Sequence, residues 1–344
     1  MSTTIRDVAK RAGVSTATIS RYLNNSPFIA YETAERVREV MQELQYSPNS
    51  IARNFTNQVT KTIAFIVDSQ NTTSFGNPYF LQIQYGIEKV LGMRGYYLMI
   101  VNIGNRSHGE NELIKLISEK RVDGIIIPAI LIKKNTIRKI NECNFPCVVF
   151  GQQKETTNVS WVDLDNVMGG ELAAAHLIRN SCKETAFIGC SFKKLFVSQR
   201  MEGYKNALTK NKIGIIQDLI IEGGEGKFKG YEIMNRLLSQ RNPPDGFVFS
   251  DNLAAFGAIS AVKAKSIKIP EEIQIVSFDD SLVAELSEPE MTVIDIDMFD
   301  LGSQAATMLL KQLETPSQNK QHSMISVKLI CRGTSKNALF KEEE

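Results

Sequence analysis

Apolar and polar residues follow two different rhythms along this chain. In the first 60 residues, apolar side chains recur every three or four positions, which is the spacing of short amphipathic helices. Val8 fits one such helix, Ile19 and Leu23 fit a second, and a third is expected over about 32–44. Gly13 stands between the first two and readily adopts the positive φ of a sharp turn. This part of the chain is therefore predicted to form a helix-turn-helix head.

Beyond the head, short apolar runs rich in β-branched residues alternate with helical segments. The predicted strands of a first group cover residues 62–68, 96–101, 122–128 and 147–150. Those of a second group cover residues 161–166, 185–190, 219–222, 246–249 and 273–278. Continuous apolar strands separated by helices are typical of parallel sheets that are covered on both faces. The chain is therefore predicted to have an α/β body made of two Rossmann-like lobes.

The last part of the body is expected to contribute elements to both lobes. A strand at 292–294, a helix at 298–313 and the stretch 324–329 would cross back to the first lobe and return. Small ligands bind such sheets at the carboxyl ends of the strands, so a cleft between the lobes is the predicted ligand site. The predicted domains are a head at 1–60 with a hinge helix at about 48–55, a first lobe at 61–163 plus about 296–323, and a second lobe at 164–295 plus about 324–335.

The second predicted helix carries side chains suited to a DNA major groove. Thr16, Ala17 and Arg21 lie near its start or one turn further on, away from Ile19. An arginine can contact guanine with two hydrogen bonds, and small or hydroxyl side chains can meet a thymine methyl or a base edge. The alternative is a solvated surface helix of a small helical domain. The hinge segment favours the DNA interpretation, because its few apolar residues need a two-fold partner to be stable as a helix.

Composition narrows the class of protein. The 344 residues carry a formal net charge of +2, so any DNA affinity must come from local charge in the head and from dimerisation. No apolar run reaches the ~18 to 20 residues that a membrane span needs, and the N-terminus does not resemble a signal peptide. A cytoplasmic protein is therefore expected.

No motif for a metal, a cofactor or catalysis stands out. The five cysteines are odd in number and scattered, which indicates reduced thiols. His108, His176 and His322 are the only histidines, and none is part of a metal or nucleophile motif. The run 223–227 is similar to a phosphate loop, but Phe228 follows where Ser or Thr is needed. We therefore expect no enzyme activity and no cofactor.

Three motifs of the head, at 5–15, 20–24 and 46–53, resemble the head and hinge of the lactose-repressor (LacI/GalR) family of bacterial transcription regulators. The resemblance extends over the body, where the motifs at 165–170, 200–204, 250–257 and 269–280 carry it. It implies a core of the periplasmic-binding-protein type and a homodimeric repressor. The short C-terminal stretch 337–344 has no heptads, so the expected oligomer is a dimer rather than a tetramer.

The resemblance also implies which residues meet DNA. The expected DNA-binding residues are Thr4, Ser15, Thr16, Ala17, Thr18, Ser20, Arg21, Asn24, Asn49, Ala52, Arg53 and Phe55. In the family, the hinge helices of a dimer meet in the minor groove, where a leucine wedges between base pairs. Here the wedge position holds Phe55. The expected partner is a pseudo-palindromic double-stranded operator.

The expected effector-binding residues are Tyr79, Phe80, Asp165, Phe196, Arg200, Ser250 and Asp279. The resemblance implies that Arg200 and Asp279 hydrogen-bond the effector, although a structural salt bridge is the alternative. Ser250 stands where sugar-responsive relatives often have Asn, and Ile296 and Met298 stand where some place ligand contacts. A small sugar controlling genes of carbohydrate uptake or catabolism is the first expectation. A purine or sugar-phosphate corepressor is the alternative, and a solute-binding protein without DNA function is the rival from another class.

Overall fold

The computed structural model describes residues 3–23, 26–46, 59–68, 78–103, 109–152, 159–316 and 319–337, without the side chains of residues 78 and 79. The chain divides into two compact units, Met1–Lys61 and Thr62–Glu344. No helix of the described residues is long and apolar enough to span a membrane.

The first unit contains three helices, α1 (Ile5–Ala12), α2 (Thr16–Leu23) and α3 (Tyr31–Glu43). α1 begins with a capping box, in which Thr4 and Asp7 satisfy each other's backbone amide, and it ends at Gly13 with a φ of 66°. Val8, Ile19 and Val37, one from each helix, are fully buried in a shared core. The predicted helix-turn-helix is confirmed. The predicted hinge helix at about 48–55 lies outside the described residues.

The first sheet of the second unit has the strand order β11-β5-β4-β3-β1-β2, and all its neighbours are parallel. Its strands are β1 (Thr62–Val67), β2 (Tyr97–Asn102), β3 (Gly124–Pro128), β4 (Cys147–Phe150), β5 (Ser160–Leu164) and β11 (His322–Ile325). Its helices are α4 (Pro78–Gly92), α5 (Gly109–Ser118), α6 (Lys134–Glu142) and α12 (Met298–Glu314). They cover both faces and bury continuous strands such as β1, as the apolar runs predict.

The second sheet has the order β12-β10-β9-β8-β6-β7, and only β12 is antiparallel. Its strands are β6 (Thr185–Gly189), β7 (Ile220–Glu222), β8 (Gly246–Phe249), β9 (Gln274–Phe278), β10 (Thr292–Asp295) and β12 (Lys328–Ile330). Its helices are α7 (Asn166–Arg179), α8 (Leu195–Lys210), α9 (Gly226–Leu238), α10 (Asn252–Ala264) and α11 (Leu282–Glu285). The predicted α/β body with two parallel-sheet lobes is confirmed. The assignment of the strand at 161–166 to the second group is wrong, because this strand is β5 and pairs with β4 in the first sheet.

Three pairs of helices cross at facing glycines. A Cβ on Gly170 of α7 would lie 1.9 Å from the carbonyl oxygen of Arg200 on α8, and a Cβ on Gly203 would lie 1.9 Å from that of Val167. Gly230 and Gly257 join α9 to α10 in the same way, and Gly86 and Gly302 join α4 to α12. Each pair therefore packs backbone against backbone, which only glycine permits.

The end of the chain differs in detail from the pattern read off the sequence. The stretch 324–329 is not one element, because β11 pairs with β5 through Ile325 and β12 pairs with β10 from Lys328. Residues 326–327 therefore carry the chain from the first sheet to the second. The domain limits given above remain predictions.

Candidate functional site

One face of α2 is exposed. Thr16, Ala17, Ser20 and Arg21 are exposed, whereas Ile19 is fully buried in the core of the head. Residues four apart lie one above the other on a helix, so the four exposed side chains form one surface. The guanidinium of Arg21 has no hydrogen-bond or ion-pair partner among the described residues of the head. The surface offers a guanidinium, two hydroxyls and a methyl group, which are groups that contact base edges in a major groove.

The remaining predicted residues of the turn make helix caps. Oγ of Ser15 accepts a hydrogen bond from the amide of Thr18 at 3.1 Å, and the two hydroxyl oxygens lie 2.9 Å apart. At the start of α1, the hydroxyl and the amide of Thr4 donate to Asp7 at 2.7 and 2.9 Å, and these bonds lower the pKa of the Asp7 carboxyl. Thr4 therefore caps α1, and the bonds between Ser15 and Thr18 fix the start of α2, which carries the exposed surface.

The positive charge of the head is partly neutralised within it. Arg11 pairs with Glu43 at 2.6 Å, and Arg38 pairs with Glu35 at 2.5 Å. The exposed cations without an ion pair among residues 3–23 and 26–46 are Arg6, Lys10, Arg21 and Arg36. The remaining residues predicted to meet DNA, namely Asn24, Asn49, Ala52, Arg53 and Phe55, lie outside the described residues.

Arg200 is the centre of a second candidate site. It lies on α8 and is 4% exposed. Its Nε donates to Oδ1 of Asn166 at 3.0 Å, and its Nη1 donates to the carbonyl oxygen of Ser250 at 2.7 Å. The guanidinium carbon lies 3.9 Å from the ring centre of Phe278 and 5.1 Å from that of Phe196. Two hydrogen bonds and two aromatic rings fix the orientation of this planar cation.

Two buried carboxylate oxygens near this arginine have no hydrogen-bond partner among the described residues. They are Oδ1 of Asp279, which lies 3.9 Å from Nη2 of Arg200, and Oδ2 of Asp251. Burial raises the pKa of Asp279 to about 6, although the positive charge of Arg200 opposes the rise. A buried acceptor without a donor is unfavourable. A bound molecule with hydroxyl or N–H groups would satisfy these oxygens.

The first lobe contributes a third carboxyl group. Oδ2 of Asp163, on β5, accepts from the amide of Gln152 at 3.0 Å, and Oδ1 accepts from the amide of Leu164 at 2.8 Å. Burial raises the pKa of Asp163 to about 6, and here too the charge of Arg200 opposes the rise. Carboxyl groups from both lobes therefore surround one guanidinium.

Side-chain amides connect the two lobes beside this cluster. Nε2 of Gln199, on α8, donates to Oε1 of Gln152, which follows β4, at 3.4 Å. Nδ2 of Asn166 donates to Oε1 of Gln199, also at 3.4 Å, and Asn166 accepts from Arg200 as described. We call Arg200, Asn166, Gln199 and Gln152 the amide relay. It links the guanidinium of the second lobe to the first lobe.

The other predicted effector residues have varied surroundings. Asp165 is half-buried and caps α7 by accepting from the amide of Met168 at 2.9 Å. Ser250 is buried, and its Oγ accepts from the amide of Cys190 at 3.1 Å. The ring of Phe196 is beside Arg200 and is 39% exposed. Ser250 and Phe196 adjoin the guanidinium, whereas Asp165 caps the helix that carries Asn166. A role of these three residues in effector binding stays a prediction.

Two aromatic residues fit the core better than a ligand site. Phe80 is buried and stacks on Phe65 at 5.3 Å between ring centres, which favours core packing over the predicted stacking on a ligand. Trp161 stacks on His322 at 4.8 Å, which agrees with a packing role. The side chain of Tyr79 lies outside the described residues.

Four residues of the cluster were not singled out as ligand contacts from the sequence. Asn166 and Asp251 belong to the motifs at 165–170 and 250–257, which follow predicted strands, so their position in the sequence is a usable signal. Asp163 is a charged residue inside a largely apolar strand, and this position is a second usable signal. Phe278 gave no signal, because an aromatic residue in a buried strand is indistinguishable from core by its pattern alone.

The amino-acid sequence matches two families. Residues 4–49 match the family "Bacterial regulatory proteins, lacI family", and residues 174–335 match the family "Periplasmic binding protein-like domain". The chain is 31% identical over 325 residues to the HTH-type transcriptional repressor PurR of Histophilus somni, covering 94% of this chain and 96% of the relative. It is 32% identical over 339 residues to PurR of Haemophilus influenzae, covering 98% and 99%.

Solved structures of similar proteins share the fold. The transcriptional regulator CelR in complex with cellobiose has a TM-score of 0.73 at 26% identity, covering 97% of this chain and all of that one. A LacI family transcriptional regulator from Enterococcus faecium with bound ribose has a TM-score of 0.68 at 25% identity, covering 80% and 98%. The lac repressor dimer bound to operator and the anti-inducer ONPF has a TM-score of 0.82 at 22% identity, covering 97% and 99%.

Proposed function

Because this chain belongs to the lacI family of bacterial regulatory proteins, we propose that its affinity for DNA is controlled by a small sugar bound at the Arg200 cluster. The family membership makes it a DNA-binding transcriptional repressor and not an enzyme.

For DNA, we propose that the exposed face of α2 reads bases in the major groove. The guanidinium of Arg21 has no partner within the described head, so it is available for a guanine edge. Thr16, Ala17 and Ser20 share this face and are small enough to let the helix approach the bases closely. The unpaired cations Arg6, Lys10 and Arg36 would contact phosphates, which adds affinity without sequence preference.

For the effector, the observation that carries the proposal is the pair of unsatisfied oxygens on Asp279 and Asp251 beside a fixed guanidinium. Sugar hydroxyls both donate and accept, so neighbouring hydroxyls can bond a carboxylate and an arginine together. The ring of Phe196 offers an apolar face against which a sugar ring can pack. The regulators described above with cellobiose and with ribose support a sugar.

The charge of the cluster bears on the alternative effectors. Among the described residues it contains the carboxyl groups of Asp163, Asp251 and Asp279 around the cation Arg200. A second cation at its edge, Lys194, is hydrogen-bonded to Cys190 and is neutralised by an ion pair with Glu225 at 3.2 Å. A sugar phosphate would add negative charge to this excess, which is unfavourable at short range. A purine base is uncharged, and its ring nitrogens can pair with an aspartate and an arginine. Purines therefore remain the second candidate.

We propose that the amide relay couples the effector to DNA. A ligand between the lobes would change the contacts of Arg200 and therefore the bond between Gln199 and Gln152. Such a ligand shifts the equilibrium between lobe arrangements by its difference in affinity for them. In a homodimer, this would change the spacing of the two heads on the operator. The lac repressor that shares the fold is a dimer on its operator.

The test is a thermal-shift screen of the purified full chain with cellobiose, ribose, other mono- and disaccharides, sugar phosphates and purine bases. A ligand at one hundred times its Kd stabilises the native state by about 2.7 kcal/mol. Arg200→Gln should abolish the shift, and Arg94→Ala should leave it unchanged, because Arg94 forms an exposed pair with Glu314 on the first lobe.

Each outcome has a consequence for the proposal. A shift by sugars alone supports it, whereas a shift by purines alone replaces the sugar with the second candidate. A shift that persists unchanged in Arg200→Gln contradicts the location of the site. Operator binding measured with and without the ligand that shifts the Tm then tells inducer from corepressor.

A further inference from the structure

The segment that follows the last strand makes an ion pair next to the Arg200 cluster. Nη1 of Arg332 donates to Oδ1 of Asp280 at 2.6 Å, and Nη2 donates to Oδ2 at 2.9 Å. The side chains are 15% and 19% exposed. A two-bond pair between a guanidinium and a carboxylate fixes both groups in one plane, which a single bond does not.

The backbone of Arg332 is itself held in place. Oγ1 of Thr292, at the start of β10, accepts from the amide of Arg332 at 2.9 Å and donates to its carbonyl oxygen at 3.1 Å. Thr334 adds bonds to β9 and β10, because its Oγ1 accepts from the amide of Thr292 and donates to the carbonyl oxygen of Ile275, both at 2.8 Å. The guanidinium therefore extends from a rigid base.

Asp280 directly follows the residue whose carboxylate faces Arg200. Asp279 has a φ of 77°, a left-handed conformation that residues other than glycine rarely adopt. Such a conformation persists only where its surroundings hold it. The amide of Asp279 donates to the carbonyl oxygen of Ile294 at 3.0 Å, which fixes one side of the turn. The pair between Arg332 and Asp280 fixes the other side.

We propose that Arg332 is a positioning residue of the effector site, because its pair with Asp280 holds the 279–280 turn so that the Asp279 carboxylate faces Arg200. This rests on the proposed function for the identity of the site as an effector site. Arg332 itself does not contact the guanidinium of Arg200, so its effect on binding passes through Asp280 and the turn. Without the pair, the turn relaxes toward an ordinary φ, and the carboxylate leaves the guanidinium.

The test is hydrogen exchange of the full chain, followed by mass spectrometry of peptides that cover residues 278–282. This measurement needs no ligand, so it remains informative if no sugar binds. Arg332→Ala and Asp280→Asn should each accelerate exchange of the Asp279 amide at least tenfold. Arg332→Lys keeps the charge but not the two-bond geometry, so its rate should be intermediate. The control Arg94→Ala removes an exposed ion pair of the first lobe and should change nothing in this peptide.

Asp280→Asn keeps the size of the side chain, so it tests the pair even if Arg332→Ala does not fold. A native exchange rate at Asp279 in Asp280→Asn would overturn the proposal. So would a loss of protection spread over the whole second sheet, because Arg332 would then support the lobe in general rather than this turn.

A binding experiment distinguishes this proposal from the proposed function. Cellobiose and ribose are used as probes on the unchanged protein and on Arg332→Lys. If either binds the unchanged protein, its Kd should rise at least tenfold in Arg332→Lys while the Tm without ligand changes little. An unchanged Kd would overturn the positioning role. If neither probe binds, the exchange experiment alone decides the role of Arg332, and the wider screen decides the sugar assignment.

Discussion

Arg21 and Arg200 illustrate how the surroundings of a side chain decide what its removal does. The side chain of Arg21 is exposed and has no partner in the described head, so the free protein loses little stability when this side chain is truncated. Arg200 is buried, holds two hydrogen bonds and lies between two rings, so its truncation leaves carboxylates without a neutralising charge. Variants of Arg21 therefore report on DNA binding alone. Variants of Arg200 report on ligand binding and on the stability of the fold together.

Arg21→Ala should weaken binding to the specific operator by about 1–3 kcal/mol, with a smaller effect on unrelated DNA. The physical reason is that a guanidinium paired with a guanine edge discriminates bases, whereas phosphate contacts do not. The measurement is a titration of both DNAs at one fixed salt concentration.

Arg38→Ala is the matched control, because it removes the same charge from the same unit but from a side chain that is paired with Glu35. An equal loss on operator and unrelated DNA in Arg21→Ala would show that Arg21 contacts phosphate rather than bases.

The two raised carboxyl pKa values predict how stability depends on pH. Asp279 and Asp163 have a pKa of about 6 in the folded chain against an ordinary value of 3.8. The folded state therefore binds more protons than the unfolded state between these values, so their stabilising contribution is complete below about pH 4 and is lost as the pH rises through 6. His176 acts in the opposite sense, because burial lowers its pKa to about 4.

Asp279→Asn isolates one of these groups. Between pH 5 and pH 7 the unchanged protein should lose about 1 kcal/mol more stability than the variant, since the shifted pKa of one carboxyl is removed. Denaturant unfolding at both pH values measures the difference. Parallel pH dependence of the two proteins would show that Asp279 titrates at its ordinary pKa.

Among the helices, the glycine crossings determine how closely the two members of each pair approach each other. Gly170→Ala would place a methyl group 1.9 Å from the carbonyl oxygen of Arg200, so α7 and α8 must separate. Overpacking of this kind costs about 1–3 kcal/mol or more. We expect a lower Tm and weaker effector binding, because the backbone of Arg200 moves.

Gly214→Ala is the control for Gly170→Ala, since a Cβ on Gly214 has no atom within 4 Å. Thermal unfolding of both variants gives the comparison. A Tm for Gly170→Ala equal to that of Gly214→Ala would mean that the crossing adjusts without cost.

Much of the element pattern could be predicted from the sequence, because apolar periodicity reports burial directly. Strands such as β1 and β8 are nearly continuous apolar runs, and their limits differ from the prediction by at most one residue. The division of 324–329 between two sheets could not be predicted, because the short runs on either side pair with strands distant in sequence. The role of Asp280 was also hidden, since its partner Arg332 is 52 residues away.

The amide relay is a physical connection between the two lobes. Gln199→Leu removes the bonds from Gln199 to Gln152 and from Asn166 to Gln199 while keeping a side chain of similar size. A bound effector changes the affinity of the protein for its operator. We expect this change to differ between Gln199→Leu and the unchanged protein by about 0.5–2 kcal/mol. Operator affinity measured with and without effector gives this coupling.

Gln240→Leu, at an exposed site after α9, is the control for an amide replaced by an apolar group. Equal coupling in Gln199→Leu and the unchanged protein would exclude the relay as a route between the lobes. Arg200 could be singled out from the sequence, whereas this relay depends on amide positions that only the packed lobes define.

The order in which the chain completes its first sheet has a consequence for its synthesis. α12 packs on α4, and β11 pairs with β5, yet both follow the strands β6 to β10 in the chain. On a ribosome, the head is therefore complete first. The first lobe lacks α12 and β11, and part of its apolar surface stays uncovered, until nearly the whole polypeptide has been translated. Premature termination before His322 would leave both lobes unfinished, so a truncated product should be a target for chaperones and proteases rather than a smaller working sensor.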